Sequence, residues 1–328
     1  MQATALWYLD CGRAELRQEA IAAPQPGEVL VRALFGAISR GTERLVHSGR
    51  VPQSEYERMR CPGMGGAFPF PVKYGYAAVG RVEAGPPEFH NRVVFSLHPH
   101  QTLFTLPVDA AFPVPDAVSP QRAVLAANME TALNALWDAA PGPADRIAVV
   151  GGGVVGLLTA YLCGRLPGAQ VTVVDVTPSR ARMAQALEVL FAAPDNAPLD
   201  CDVVFHASGT EQGLATALRL AGDEAGIIEL SWYGAGNVVA PLGGAFHSRR
   251  LRLISSQVGK VAPTHRPRWT SGRRLAAALA LLADPALDAV IGHPCSFERL
   301  PDKLPSIFSA QCAAVCPLIE YPSAAGAS

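Results

Sequence analysis

The fold of this chain is decided by the stretch Arg146-Ile-Ala-Val-Val-Gly-Gly-Gly-Val-Val-Gly156, in which an apolar run meets a cluster of glycines. The apolar run predicts a buried β-strand, and residues 155–165 predict a helix that follows it. Gly151, Gly153 and Gly156 have the G-x-G-x-x-G spacing. In that motif the glycines permit a tight turn, a close approach of the backbone to a pyrophosphate, and close packing of the helix on the strand. The stretch therefore predicts a βαβ unit that binds a dinucleotide.

The helix after the glycines predicts where the phosphates bind. The first N–H groups of a helix have no partner within it, so the backbone of Val154 and Val155 is expected to face the pyrophosphate. Glycine-rich turns are common, and a variant of the same fold that binds a methyl donor is the alternative interpretation.

An acidic residue stands where a ribose would lie. Asp175 ends the next predicted strand, about 20 residues after the glycines, and a carboxylate there can accept a hydrogen bond from a ribose 2′-hydroxyl. The same carboxylate would repel a 2′-phosphate, so the sequence favours NAD over NADP. Arg180 is expected either to lie over the adenine edge or to pair with Asp175, and a solvated helix-surface arginine is the alternative.

Strand and helix alternate between residues 146 and 255, which predicts a parallel, doubly wound sheet. Ligands of such sheets bind beyond the carboxyl ends of the strands. Two segments that follow later strands are therefore candidate walls of the cofactor site, although ordinary turn chemistry is the alternative for each. They contain Ser208 and Gly209, and Ser231, Trp232 and Tyr233. The predicted strands are 147–150, 169–175, 202–207, 226–231 and 251–255, and the predicted helices are 155–165, 178–190 and 211–221.

Composition and charge exclude several classes of protein. The 328 residues include 27 Lys and Arg against 28 Asp and Glu, with 49% hydrophobic residues. This balance predicts a globular chain without a broad footprint for nucleic acid or an anionic membrane. Seven cysteines, odd in number and widely spaced, do not indicate a disulfide framework. The N-terminal residues lack the pattern of a signal peptide, and we expect a cytoplasmic protein.

The first 120 residues predict a different architecture. Short apolar runs at 29–33, 77–82 and 92–96 indicate strands separated by turns. A helical pattern then covers residues 119–139, and another covers 273–283.

Several motifs in this order resemble the medium-chain dehydrogenase/reductase superfamily. They are Ala37-Ile-Ser-Arg-Gly-Thr-Glu43 and Val72-Lys-Tyr-Gly-Tyr-Ala-Ala-Val-Gly-Arg-Val82. Ser39-Arg-Gly-Thr-Glu-Arg-Leu-Val-His-Ser-Gly49, with Pro62-Gly-Met64 and Gly75-Tyr76, is locally similar to the bacteriochlorophyllide hydroxyethyl-dehydrogenase branch. The resemblance implies an α/β protein with a GroES-like β-barrel catalytic domain, residues 1–125 completed by 262–328. It also implies a Rossmann NAD(P)-binding domain, residues 126–261, an active site in the cleft between the domains, and a homodimer.

The resemblance also predicts that zinc is absent. Zinc-dependent members have Cys at the position of Ser39, Gly-His-Glu where this chain has Gly75-Tyr76-Ala77, and a third ligand at about Ala127 or Asn128. Ser, Tyr and Ala do not provide the nitrogen, sulfur and carboxylate ligands that Zn²⁺ requires. A replacement pair at His98-Pro-His100 lacks a third ligand, so we predict no metal site.

Without a metal, hydrogen-bond donors must stabilise the charge that develops on a substrate oxygen during hydride transfer. Tyr76, at the former histidine position, is the candidate donor or proton carrier. Ser39 and Thr42 are candidates to bond the substrate or the nicotinamide ribose. Thr131 resembles the family residue that packs behind the nicotinamide, and Glu130 is a candidate to line the cleft or to bind the carboxamide. Core packing and turn chemistry are the alternatives for these side chains.

Two functions remain open at this point. The first is a zinc-independent, NAD(P)(H)-dependent oxidoreductase that acts on a small-molecule substrate. That substrate would be a bulky secondary alcohol or ketone, or a conjugated carbonyl compound. The second is a non-catalytic sensor or assembly protein that binds a nicotinamide nucleotide and has lost the chemistry.

Overall fold

The computed structural model describes residues 1–322, and these residues form two units. The first unit contains residues 1–127, 282–284 and the described residues from 291 onward, and the second contains residues 128–281 and 285–290. The second unit thus includes residues 262–281 and 285–290, which the resemblance assigns to the first domain, whereas residues 126–127 fall in the first unit. The last six residues of the predicted completing segment, 323–328, lie outside the described part of the chain.

The N-terminal part of the first unit is built from short strands, and the runs predicted at 29–33, 77–82 and 92–96 overlap three of them. The strands are β1 (Gln2–Asp10), β2 (Arg13–Ala20), β3 (Glu28–Ala37), β4 (Gly65–Gly66), β5 (Val72–Lys73), β6 (Ala78–Ala84), β7 (Val93–Ser96), β8 (Leu103–Pro107) and β9 (Phe112–Pro113). The helices are α1 (Thr42–His47) and α2 (Pro120–Ala123).

The second unit alternates strand and helix as predicted. The strands are β10 (Arg146–Val150), β11 (Gln170–Val174), β12 (Leu190–Ala192), β13 (Cys201–His206), β14 (Ala221–Glu229) and β15 (Arg252–Ser255). The helices are α3 (Ala126–Ala139), α4 (Val154–Cys163), α5 (Arg180–Ala186), α6 (Glu211–Leu220), α7 (Ala245–Ser248) and α8 (Ser271–Ala280). Among residues 1–322, no helix combines the length and the apolar character that a bilayer crossing requires.

The chain finally returns to the first unit through β16 (Ile291–Ser296), α9 (Leu300–Phe308) and β17 (Cys316–Glu320). There, β17 pairs antiparallel with β3, so a strand from the end of the chain completes the sheet that the N-terminal part begins. That sheet has the order β16-β17-β3-β6-β7-β9, with β8 on β3, and a smaller sheet has the order β2-β1-β5-β4.

The six-stranded sheet of the second unit has the order β12-β11-β10-β13-β14-β15, and all its pairs are parallel. The buried residues of β10 are apolar along the whole run Ile147–Val150, as expected for a strand that is covered on both faces. Val150 pairs with Val174 and with His206, and His206 pairs with Glu229. The carboxyl ends of four strands therefore meet at one edge.

Two predicted helices differ in the structure. The pattern at 119–139 is divided into α2 and α3, because the Leu125 N–H bonds the Arg122 carbonyl three residues back and tightens the chain into a turn. The pattern at 178–190 ends at Ala186, because Glu188 adopts a φ of 60°, which a right-handed helix does not accommodate. Leu190 consequently begins the edge strand β12.

Arg274 explains why residues 262–281 pack with the second unit. Its buried guanidinium donates to the Glu130 carboxylate at 3.0 Å and also to the Asn134 side chain and the Val258 carbonyl. Asn134 in turn accepts the Ala262 N–H at 3.0 Å. Helix α8 and the loop before it are thereby tied to α3.

The prediction that Glu130 lines a cleft or binds the carboxamide is not supported by this arrangement. Its side chain is buried and paired with Arg274. Burial raises the pKa of the Glu130 carboxyl, and the Arg274 guanidinium opposes the shift. A carboxylate that already neutralises a buried cation has a structural role, because the loss of either partner leaves the other charge uncompensated.

We expect Arg274→Met to lower the free energy of unfolding by about 3–5 kcal/mol, because it leaves the Glu130 carboxylate buried without its partner. Urea denaturation followed by circular dichroism measures the change. The exposed Arg182 provides the control, since Arg182→Met is expected to change stability by less than about 0.5 kcal/mol. An Arg274→Met protein as stable as the control would contradict the structural role of the pair.

Candidate functional site

The glycine loop has the geometry that its spacing predicts. Gly151 has a φ of 112°, and a Cβ there would lie 2.7 Å from the Ala207 carbonyl carbon and the Ser208 nitrogen. At Gly156 a Cβ would lie 1.9 Å from the Gly151 carbonyl oxygen. Only glycine fits at these two positions, because any side chain would separate the start of α4 from β10 and β13.

Gly153 lies at the N-terminus of α4, and nothing lies within 4 Å of the place where its Cβ would be. The first backbone bond of the helix runs from the Leu157 N–H to the Gly153 carbonyl. The N–H groups of Val154 and Val155 therefore precede the helical ladder and have partial positive charge. An anion can approach this helix start closely.

Asp175 is fixed beside the loop by the backbone. One carboxylate oxygen accepts the Gly152 N–H at 2.6 Å, and the other accepts the Thr177 N–H at 2.7 Å. Each oxygen of a carboxylate has two lone pairs, so the group retains the capacity to accept hydrogen bonds from ribose hydroxyls. The buried Arg180 packs against the loop, with its Cγ 3.2 Å from the place of a Gly152 Cβ.

The two predicted wall segments are joined by a hydrogen-bond network. The Gly209 N–H donates to Ser231 Oγ at 3.0 Å, and the Tyr233 hydroxyl donates to the Glu229 carboxylate at 3.1 Å. Trp232 and Thr131, two further predicted residues, are each half-buried on the same unit. The network fixes the backbone that follows β13 and β14, so this edge is preorganised.

The centre of that network is a pair that was not predicted from the sequence, the buried His206 and the half-buried Glu229. His206 Nδ1 lies 2.7 Å from Glu229 Oε2, and His206 Nε2 lies 2.7 Å from Ser208 Oγ. Burial alone would raise the pKa of the Glu229 carboxyl. The hydrogen bond and charge of His206, together with the Ser231 N–H, outweigh burial and hold that pKa below its ordinary value. The sequence signal for this pair was a polar residue at the end of each of two neighbouring strands, His206 on β13 and Glu229 on β14.

These features fit an adenine dinucleotide. A helix start without a covering side chain suits a pyrophosphate, a fixed carboxylate beside it suits a ribose diol, and both lie at the carboxyl edge of a parallel sheet.

In the first unit, the structure brings together three predicted residues, Ser39, Thr42 and Tyr76. Tyr76 is half-buried. Burial raises the pKa of Tyr76 to about 12, while hydrogen bonds from the side chains of Ser39 and Thr42 oppose the shift. The phenol therefore stays protonated at neutral pH and can donate a hydrogen bond.

The fully buried Glu43 holds this hydroxyl cluster in place through the backbone of Ser39. Its carboxylate accepts the Ser39 N–H at 2.8 Å, the Tyr8 hydroxyl at 2.9 Å and His100 Nε2 at 2.8 Å. Glu43 was not among the site residues predicted from the sequence. Burial, and then the Glu43 charge, raise the pKa of Tyr8 well above its ordinary value.

The side chains at the positions that the resemblance compares with zinc ligands do not fit zinc. Ser39 and Tyr76 present hydroxyls, and the Ser39 side chain is a hydrogen-bond partner of the Tyr76 phenol. His98 stacks on Phe104 at 3.9 Å between ring centroids, and burial lowers its pKa to about 3. His100 is committed to Glu43. Within residues 1–322, no three His, Cys, Asp or Glu side chains form a group that could hold a metal ion.

Comparison with known proteins gives a curated relative that matches most of the chain. The 2-desacetyl-2-hydroxyethyl bacteriochlorophyllide A dehydrogenase of Cereibacter sphaeroides is 28% identical over 308 residues, which cover 87% of this chain and 91% of the relative. No protein-family model matches the chain.

Solved structures with the same fold include dehydrogenases. L-idonate 5-dehydrogenase from Escherichia coli K-12 superposes with a TM-score of 0.80 at 15% identity, over 98% of each chain. An alcohol dehydrogenase from E. coli CFT073 in complex with NADH gives 0.76 at 16% identity, over 97% of this chain and 99% of that one. TarJ from Staphylococcus aureus in complex with NADPH gives 0.75 at 15% identity, over 98% and 100%. The predicted fold, a GroES-like domain and a Rossmann domain, is confirmed, and the resemblance to the medium-chain superfamily is supported.

The close-packed Gly156 and the open Gly153 predict different responses to substitution. We expect Gly156→Ala to lower the free energy of unfolding by at least about 2 kcal/mol, because its methyl group would collide with the Gly151 carbonyl. Gly153→Ala is the matched control and should cost less than about 1 kcal/mol, because its methyl group meets open space and only the N-cap preference for glycine over alanine is lost. Thermal denaturation of both variants measures the difference, and equal losses would contradict the loop geometry.

Proposed function

We propose that this chain, which has the two-unit fold of the medium-chain dehydrogenases, transfers a hydride between a nicotinamide dinucleotide and a small-molecule alcohol or carbonyl compound. The observation that carries the proposal is the open helix start at Gly153 with the fixed Asp175 beside it. The bacteriochlorophyllide dehydrogenase relative and the dehydrogenases that share the fold support the reaction class.

The dinucleotide is NAD rather than NADP in this proposal. A ribose diol would donate to the Asp175 carboxylate, whereas a 2′-phosphate would place like charges together. Both carboxylate oxygens are held by backbone N–H groups, so the side chain is not free to rotate away from a phosphate.

We expect NADH to bind at least about ten-fold more tightly than NADPH, a difference near 1.4 kcal/mol. Asp175→Ser should bring the two dissociation constants to within about three-fold of each other, since it removes the repelling charge. NADH and NADPH fluorescence titrations measure both. The exposed Asp195 gives the control variant Asp195→Ser, which should leave the preference unchanged. Equal binding of both nucleotides by the unaltered protein would refute the proposed role of Asp175.

The substrate oxygen receives its hydrogen bond from Tyr76 in this proposal. The bound nicotinamide would supply or accept the hydride, and the chain's own groups stabilise the oxygen on which charge develops. Tyr76 is the donor, because its pKa near 12 keeps the proton in place. Ser39 and Thr42 orient the phenol, and Glu43 fixes Ser39.

We further propose that the reaction proceeds without zinc, because the side chains at the family's ligand positions are hydroxyls and not nitrogen or sulfur ligands. Two substrate classes are compatible with a reaction that uses no zinc. A secondary alcohol or ketone on a bulky molecule would depend on Tyr76, whereas a conjugated carbonyl compound would also delocalise the charge itself.

We expect Tyr76→Phe to lower kcat about 100-fold, the typical contribution of a positioned proton donor, without changing the dissociation constant of NADH. NADH oxidation across a panel of cyclic ketones, enones and quinones measures kcat. Tyr56→Phe, a half-buried tyrosine of the same unit, is the control and should retain full activity.

The outcomes of this experiment separate the candidate functions. An unchanged kcat in Tyr76→Phe would remove Tyr76 from the chemistry but leave the oxidoreductase intact. Tight NADH binding with no turnover on any member of the panel would favour the sensor or assembly protein. One tightly held zinc per chain in metal analysis of the active protein would overturn the metal-free reaction.

A further inference from the structure

The His206 side chain is fully buried, and both of its ring nitrogens have partners. Nδ1 faces the Glu229 carboxylate at 2.7 Å, and Nε2 faces Ser208 Oγ at 2.7 Å. Ser208 is half-buried at the sheet edge. The imidazole therefore connects the charge of the half-buried Glu229 to a hydroxyl at the proposed dinucleotide site, and the proposed hydride transfer uses neither His206 nor Glu229.

The direction of each hydrogen bond follows from the chemistry of the partners. An ionised carboxylate only accepts, and Glu229 already accepts from the Ser231 N–H and the Tyr233 hydroxyl. His206 Nδ1 must therefore donate to it. In a neutral imidazole the other nitrogen is then an acceptor, so the Ser208 hydroxyl donates to Nε2. The Ser208 oxygen is left to face its surroundings as an acceptor, with Thr210 Oγ1 at 3.0 Å and the Thr210 N–H at 3.3 Å.

Helix α6 leaves space for the contact between His206 and Ser208. A Cβ at Gly213 would lie 1.9 Å from Ser208 Oγ and 2.8 Å from His206 Nε2. Glycine within a helix is destabilising, and here its missing side chain makes the space that the hydroxyl and the imidazole occupy. The arrangement is therefore a specific packing solution and not a chance approach of two surface groups.

We propose that His206 is a positioning residue that determines whether the Ser208 hydroxyl accepts or donates at the dinucleotide site, and that protonation of His206 converts Ser208 from an acceptor into a donor. The inference rests on the proposed function. The imidazole takes one proton from solvent on Nε2, which then donates to Ser208 Oγ. The Ser208 hydrogen turns outward, and the charge of the His206–Glu229 pair changes from −1 to zero.

The groups around His206 allow this change. Glu229 on β14 is the carboxylate that touches it, and Tyr233 lies on the segment that follows. Burial, and then the Glu229 charge, raise the pKa of Tyr233, so that phenol stays neutral. Helix α6 meets the ring at Gly213 and has Glu211 in its first turn, and β10 is paired with His206 at Val150. An outward O–H and one less negative charge both favour an anionic ligand.

The experiment combines a direct view of the ring with nucleotide binding. Long-range proton–nitrogen correlation spectra of histidine-labelled apo protein identify the tautomer of His206, with the proton on Nδ1 expected in the neutral form. NADH fluorescence titrations from pH 5.5 to 8.5 then compare four proteins: unaltered, His206→Gln, Ser208→Ala, and His247→Gln as an exposed-histidine control.

For the unaltered protein and His247→Gln, we expect the dissociation constant of NADH to rise about five-fold between the lowest and highest pH, because one charge-assisted hydrogen bond is lost. His206→Gln should abolish this dependence. Ser208→Ala should also abolish most of it while His206 still titrates in the spectra, because the hydroxyl transmits the change.

Different failures have different meanings. A proton on Nε2 in neutral His206, or a full pH dependence retained in Ser208→Ala, would overturn the proposed switch. So would an unaltered protein whose NADH affinity does not vary with pH. Absence of NADH binding at every pH in the folded, unaltered protein would instead overturn the proposed function.

Discussion

The second unit depends on the close approach of α4 to the end of β10. The Gly156 backbone lies against the Gly151 carbonyl at a distance that excludes even a methyl group, and Gly151 lies against the chain that follows β13. This packing sets the position of the helix start. Because the strands are parallel and in register, the same contact places the helix start next to Asp175 and beside the Ser208 segment. The proposed binding of an anionic dinucleotide follows from this one steric constraint.

The glycine motif and Asp175 could be found in the sequence because their signals are local. Each glycine is required by a backbone contact within the strand–turn–helix unit, and Asp175 ends the strand that follows directly. The strand ends also follow from short apolar runs, so the strand–helix alternation of the second unit was predictable. The end of α5 was not, because it depends on the left-handed conformation of Glu188, a residue with no special preference for it.

The misinterpreted and missed residues all act through long-range pairs. Glu130 resembles a cleft residue in the sequence, but its partner Arg274 lies 144 positions away. His206 and Glu229 are 23 positions apart and meet only because β13 and β14 are paired in register. Sequence spacing identifies residues that share a turn or a helix face, whereas the pairing of charges buried between elements depends on the completed fold. The predicted boundary of the second unit differs from the observed one for the same reason, since Arg274 binds α8 to α3.

The two units solve one electrostatic problem in the same way. In each, a carboxylate that accepts from an imidazole and a tyrosine hydroxyl supports a hydroxyl-bearing residue: the buried Glu43 fixes the Ser39 backbone, and the half-buried Glu229 orients Ser208 through His206. Hydroxyls are weak ligands for metals and flexible as donors. A hydroxyl gains a defined direction when its supporting groups are themselves held by hydrogen bonds. Serine and tyrosine hydroxyls obtain directionality from such second partners, and the ionisable groups beneath both hydroxyl clusters provide it.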